Sequence, residues 1–252
     1  RALLRPNTRV VFTESPGSHT FEVQDIPAIA RAAHAAGAIV MLDNTWGIHH
    51  FQPFRHGVDV SIQALTKYVG GHSDLVLGAV TVRDEALWTR LRSACLTLGY
   101  SAAPDDCWLA LRGARTLPVR LKTQAASALR IAEWLETRPE VAQVLHPALP
   151  SHPDHAIWRR DFTGACSLFG VVLRAGPDEK TVNTALDGLK LFGIGASWGG
   201  YESLVLPTTG FVVRTLAGRE LAGQTFRLQI GLEDTDDLIA DLAAALDRLP
   251  RG

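Results

Sequence analysis

The sequence predicts an α/β fold with a mostly parallel sheet, followed by a smaller C-terminal α+β unit. Three observations lead there. Apolar runs such as Ile39-Val40-Met41-Leu42 do not alternate with polar residues, as expected of strands covered by helices on both faces. Such runs alternate with stretches of helical periodicity, the order of parallel crossover units. After Pro139 the texture changes: His146-Pro147, Pro150 and His152-Pro153 cluster, and longer polar stretches separate the later strands.

Each element can be justified in order. Val10 to Glu14 reads as a short strand. Asp25 is placed to cap a helix that has Pro27 in its first turn and runs through Ile29, Ala32, Ala33 and Ala36 to Gly37. Residues 38–43 form a second strand, and 58–65 and 78–82 repeat its character. A long helical stretch covers about 104–136, and a domain boundary is placed within it, near Leu117. Beyond it, 167–173 and 226–232 read as strands, and 178–189 and 235–249 as amphipathic helices.

Composition narrows the function classes. The chain has 252 residues, 46% apolar and 20% charged, enough for one large domain or two modest ones. Net charge is −1 and the 25 basic residues are spread out, so no basic stripe suits a nucleic acid. Cys95, Cys107 and Cys166 are odd in number and widely spaced, without a CxxC pair, which fits a reducing, cytoplasmic compartment. No apolar run approaches the roughly 20 residues that span a bilayer, and no signal-peptide layout opens the chain, so no membrane partner is expected. Met41 is the only methionine, so a chain opening at Arg1 is expected to be processed or to lack its front.

The chemistry concentrates in three places. In Ser61-Ile-Gln-Ala-Leu-Thr-Lys-Tyr-Val-Gly-Gly-His-Ser-Asp74 a lysine leaves the end of a strand, where open α/β folds bind ligands. A desolvated Lys67 amine could form a Schiff base with an aldehyde cofactor, and Thr66 could give its hydroxyl to a phosphate. Asp43, ending the preceding strand, could hold a pyridine nitrogen protonated, turning the ring into an electron sink. Arg227, inside an apolar strand, could grip the α-carboxylate of an amino acid bidentately, with Ser197-Trp-Gly-Gly-Tyr201 nearby in function. Taken singly, an Asp ending a strand is usually a cap, a Lys after a strand solvated, and a strand Arg part of a surface ion pair. The ordered set of all three favours the functional reading. His49, His50 and His72 lack complementary ligand spacing and read as structural; no metal is expected.

With these residues in place, the chain resembles the Cys/Met-metabolism family of pyridoxal-phosphate enzymes, most of all its bacterial cystathionine β-lyase branch. The landmarks are Glu14-Ser-Pro-Gly-Ser-His-Thr-Phe-Glu-Val23, Leu42-Asp-Asn-Thr-Trp46, Ala64-Leu-Thr-Lys-Tyr68 with Gly71-His-Ser-Asp74, Leu111-Arg-Gly-Ala-Arg-Thr-Leu117, Arg160-Asp-Phe-Thr-Gly164, Ser197-Trp-Gly-Gly-Tyr-Glu-Ser203 and Arg227-Leu-Gln-Ile-Gly-Leu-Glu-Asp234. The Ser-Trp-Gly-Gly-Tyr-Glu-Ser and Ser-Pro-Gly-Ser runs point toward β-lyases rather than γ-synthases or γ-lyases. The resemblance implies an aminotransferase-like, type I pyridoxal-phosphate fold, incomplete at its N-terminus, with 1–117 the C-terminal part of the large cofactor domain and 118–252 the small domain.

It further implies that Lys67 carries pyridoxal 5'-phosphate and acts catalytically, Asp43 pairs with the ring nitrogen, Thr66 touches the phosphate, and Ser197, Trp198 and Arg227 surround the substrate carboxylate. Ala64 departs from the many relatives that have a phosphate-binding serine there. The implied reaction is α,β-elimination of L-cystathionine, an amino-acid thioether, to homocysteine, pyruvate and ammonia in methionine biosynthesis. Alternatives are a γ-synthase, γ-lyase or desulfhydrase of the same family, or a fragment that only associates with full-length subunits. The family also implies a homo-oligomer, a tetramer built from dimers that share active sites, and a further N-terminal portion carrying a Gly-rich phosphate loop and a tyrosine stacked on the ring.

Overall fold

The computed structural model describes residues 3–213 and 221–250. A first sheet takes strands β1 (Val10–Glu14), β2 (Ile39–Asp43), β3 (Val60–Ala64) and β4 (Gly78–Val82), in that spatial order. β1, β2 and β3 run parallel and β4 is antiparallel at the edge. Between β1 and β2 lies α1 (Ile26–Ala35), where the Asp25 carboxylate accepts from Ala28 N at 3.0 Å and Pro27 sits in the first turn. The register sets Glu14 beside Asp43 at the carboxyl ends of two parallel strands, where the helix-connected strands open onto a cleft.

β2 departs from the expectation of burial on both faces. Val40 and Leu42 are fully buried toward α1, whereas Ile39, Met41 and Asp43 are only half-buried. Their neighbours in register, Val10 and Phe12, are exposed on the same face, so this side of the sheet has no continuous cover among the described residues. The apolar character of β2 therefore reports a face prepared for packing.

A helix that the sequence pattern does not signal, α2 (Glu85–Thr97), follows β4, and the predicted long helix divides into α3 (Pro104–Ala114) and α4 (Leu117–Glu136). The break between α3 and α4 follows from Pro118, which lacks an N–H and is tolerated only in a first turn. α2 is started by the Asp84 carboxylate, which accepts from Leu87 N at 2.7 Å. None of its residues is buried.

The second sheet comprises β5 (Val141–Leu145), β6 (Leu168–Leu173), β9 (Thr225–Gln229), β8 (Leu204–Pro207) and β7 (Gly193–Ile194), in that order. All of its pairings are antiparallel except β7 with β8. β6 and β9 are buried along their whole length under α4, α6 (Glu179–Leu186) and α7 (Thr235–Leu246). α5 (His155–Asp161) leads into β6. A second apolar cluster, including Phe21, Trp46, Tyr68, Leu121 and Leu168, joins the two sheets, and Trp46 Nε1 donates to Leu168 O at 3.1 Å. We propose that the division into two domains falls at Leu117, the first residue of α4.

Trp88, Leu96, Trp108 and Leu111 of α2 and α3 are each more than half exposed. Exposed apolar ridges of this kind drive association. The isolated 252-residue chain is expected to self-associate, and Trp88→Glu with Leu96→Glu to reduce its light scattering while changing unfolding stability by only about 0.5 kcal/mol, because neither side chain is buried.

Candidate active site

Three strand ends and one loop of the second sheet build a cleft of about 190 Å³ whose walls include Glu14, Asp43, Ala64, Lys67, Leu168 and Trp198. Asp43 is fixed in place by Thr45. Its Oδ1 accepts from Thr45 N at 2.9 Å and from the Thr45 hydroxyl at 2.6 Å, and that hydroxyl in turn accepts from Ala64 N at 2.8 Å. One threonine thus ties the end of β2 to the end of β3. Glu14 lies alongside, and burial, then the charge of Asp43, raise its pKa, with a hydrogen bond from Ser18 opposing.

Lys67 sits in a tight turn after β3. Gly70 N donates to Leu65 O and Gly71 N to Lys67 O, both at 2.8 Å. Gly71 has φ +70°, and the space a side chain would need there is filled by the Arg120 guanidinium. Arg120 is itself buried and donates to Tyr68 O at 2.8 Å and Val69 O at 3.1 Å, gripping the turn from α4. Lys67 Nζ donates to Ser197 Oγ at 2.8 Å and lies 5.4 Å from the centre of the Trp198 ring. Burial, and secondly the charge of Arg227, lower the Lys67 pKa from the ordinary lysine value.

Arg227, in the middle of β9, is 5% exposed and donates to two carbonyls, Ala196 O at 2.6 Å and Ser18 O at 3.4 Å. Among the described residues it forms no ion pair with a carboxylate, and a buried guanidinium held only by carbonyls retains capacity for an anion.

The structure therefore brings Asp43, Lys67, Ser197, Trp198 and Arg227 to one place. Thr66 stands apart: its hydroxyl donates to Leu77 O at 3.2 Å and accepts from Leu77 N at 3.0 Å, closing the 66–77 loop. Sequence reasoning gave no role to Glu14 or Thr45, although the strand-end position of the first and the spacing of the second from Asp43 are both visible in the sequence. His72 Nδ1 is 2.8 Å from Gly70 O, a contact within the turn. No metal-binding group of His, Cys, Asp or Glu occurs among the described residues.

Residues 1–247 match the family described as Cys/Met metabolism PLP-dependent enzyme. The chain belongs to that family. Its cofactor is pyridoxal 5'-phosphate. Within it, the chain is 52% identical to a putative cystathionine beta-lyase of Rhizobium johnstonii over 95% of its own length and 61% of the relative's. It is 45% identical to the cystathionine beta-lyase of Escherichia coli over 98% of its length and 64% of the relative's. The structure of a cystathionine gamma synthase from Xanthomonas oryzae superposes with a TM-score of 0.87 at 34% identity, covering 95% of this chain and 63% of that one. A relative named L-alanine/L-glutamate racemase, from Wolbachia pipientis, is 40% identical over 98% of this chain and 62% of its own length. The chain thus spans under two thirds of the length of these family members.

A lowered lysine pKa means that Lys67 offers its neutral amine at lower pH than an ordinary lysine does. In the apo-protein, mass-spectrometric mapping of amine acylation against pH should give Lys67 a midpoint below the ordinary lysine value. Arg227→Gln removes a like charge and is expected to raise that midpoint; an unchanged value would show that burial alone sets it.

Proposed function

We propose that this chain is the catalytic part of a carbon–sulfur lyase that performs α,β-elimination on L-cystathionine, releasing homocysteine, pyruvate and ammonia. The observation that carries the reading is the contact of Lys67 Nζ with Ser197 Oγ beside Trp198, with buried Arg227 behind the same loop. It joins an amine of lowered pKa to a guanidinium that, among the described residues, has no carboxylate partner and is of the kind that takes an amino-acid carboxylate. The Ser197-Trp-Gly-Gly-Tyr-Glu-Ser203 run and the β-lyase names of the more similar relatives favour β-elimination over the γ-chemistry of the solved γ-synthase.

The residues fit the family cofactor. Lys67 offers an amine of lowered pKa for the aldehyde, and Asp43, oriented by Thr45, offers a carboxylate for the ring nitrogen. Thr66 is assigned to the phosphate, which requires its hydroxyl to exchange or share the Leu77 contact. When bound, pyridoxal 5'-phosphate supplies an electron sink for negative charge at the substrate α-carbon.

The protein's own part is to bind, orient and move a proton. Arg227 and Ser197 hold the substrate carboxylate, and Trp198 walls the cleft against water. Lys67 Nζ, when its amine is free, would take the substrate α-proton as general base, a role for which a lowered pKa suits it. The thiolate then leaves from the β-carbon and is protonated to homocysteine, and the aminoacrylate released tautomerises to an imine that takes up water to give pyruvate and ammonia.

The exposed apolar face of α2 and α3 favours a second statement, that the chain works in a homo-oligomer, a tetramer by family analogy. Three free cysteines fit a reducing cytoplasm, and among the described residues no helix is long and apolar enough to cross a membrane.

Lys67→Ala should abolish the borohydride-reducible adduct with pyridoxal phosphate and its visible absorbance, leaving the unfolding midpoint near that of the parent; an adduct that persists sinks the assignment. Asp43→Asn should keep the adduct but lose activity on the order of 10²-fold or more, because a neutral amide cannot favour the protonated ring. Product analysis on cystathionine separates the chemistries: pyruvate supports β-elimination, and 2-oxobutyrate in its place would replace it with γ-elimination.

A further inference from the structure

We propose that Gly199 and Tyr68 form a spacing device that sets the distance between Lys67 and the loop carrying Ser197 and Trp198, so that both act as positioning residues. The inference rests on the reading of Lys67 as the cofactor lysine, and goes beyond it by assigning residues that touch neither cofactor nor substrate.

The loop is pinned at both ends. At its start, Ala196 O accepts from Arg227 at 2.6 Å. At its end, Gly200 O accepts from Gln124 Nε2 of α4 at 2.7 Å and from Gln229 Nε2 of β9 at 3.4 Å. Between the pins, Gly199 adopts φ +84° and lies directly on the Lys67–Tyr68 peptide. A Cβ there would fall 2.8 Å from Tyr68 N, 2.9 Å from Lys67 C and 3.0 Å from Lys67 Cα, all backbone atoms that have no room to give. Only glycine lets the two segments approach this closely.

The Lys67 side of the contact is equally fixed. Tyr68, 1% exposed, packs edge-on to Trp198 with ring centres 5.3 Å apart. Ser167 Oγ gives its single proton to Gln229 Oε1 at 2.9 Å, so in the 3.1 Å contact between Tyr68 OH and Ser167 Oγ the tyrosine must donate. Tyr68 OH also accepts from Ser167 N at 3.2 Å. The chain of bonds therefore runs from Tyr68 through Ser167 and Gln229 to Gly200 O, closing a ring that starts at the lysine's neighbour and ends on the loop that meets the lysine amine. Arg120 holds the Tyr68 carbonyl from the other side. Nothing in the chemistry of elimination asks for these residues; what they share is the geometry between Nζ and the Ser197 hydroxyl.

The charged groups facing Lys67 are Asp43 and Glu14 from the strand ends and Arg227 from β9, and none of them is altered by changing Gly199 or Tyr68. Gly199→Ala and Tyr68→Phe are therefore compared with the parent in two assays. In the apo-protein, the pH midpoint for acylation of Lys67 should rise in Gly199→Ala as the loop is pushed off the amine, and rise less in Tyr68→Phe, which keeps the ring and loses only the hydroxyl. In the holoenzyme, both should retain the reducible adduct while kcat/KM falls, on the order of 10²-fold for Gly199→Ala. Parent-like midpoints and kinetics accompanied only by a lower unfolding temperature would overturn the proposal, as would that result in Tyr68→Phe alone if Gly199→Ala fails to fold. If instead the parent forms no adduct with pyridoxal phosphate, the lyase reading fails, and the apo-protein acylation still decides whether the spacing device exists.

Discussion

Two basic side chains, Lys67 and Arg227, lie close enough for the charge of one to act on the other, and much of the architecture answers that constraint. Arg227 is buried in the centre of β9, where among the described residues its partners are two carbonyls, and Lys67 reaches the same region from the end of β3. Burying an unpaired charge is costly, so the pair is tolerated through the carbonyl dipoles around Arg227 and the lowered proton affinity of Lys67. On the function proposed above, an incoming carboxylate would relieve this tension and the lysine would be left ready to act as nucleophile and base.

Most of the sheet that carries the site was legible in the sequence because its signals are local. The Asp25 cap, Pro27, and the strand ends at Glu14 and Asp43 all depend on residues a few positions apart. α2 was less legible because it buries none of its residues, so no pattern of core positions marks it out within the chain. β7 and β8 are two and four residues long and exist mainly through pairing with β9, which is remote in sequence. The site shows the same divide. Asp43, Lys67 and Arg227 could be read from strand ends and an odd charge in an apolar run, whereas the occupation of the Thr66 hydroxyl by Leu77 depends on a loop closing on itself.

The half-covered first sheet and the exposed α2–α3 face belong together with the family comparison. The chain aligns along nearly its whole length with relatives of which it spans 61–64%. Its apolar β2, with one face buried and the other only half so, has the composition of a strand packed on both sides. The second sheet shows the contrary pattern, with β6 and β9 buried from end to end and a core of its own. The polar half of the cleft, at the ends of β1 and β2, is thus carried by the less completely covered of the two sheets.

α4 gives this arrangement a mechanical character. Its 20 residues make a rod about 30 Å long. Near one end Arg120 grips the turn that bears Lys67; in the middle Gln124 holds the loop of Ser197 and Trp198 at Gly200; toward the other end Ile131 and Leu135 are embedded in the core of the second sheet. A rod anchored in one body and gripping the reactive turn of the other acts as a strut, so a rotation of the second sheet cannot leave the lysine behind. Opening and closing of the cleft must then bend the loops around α4 while the amine and the loop that meets it travel as one piece.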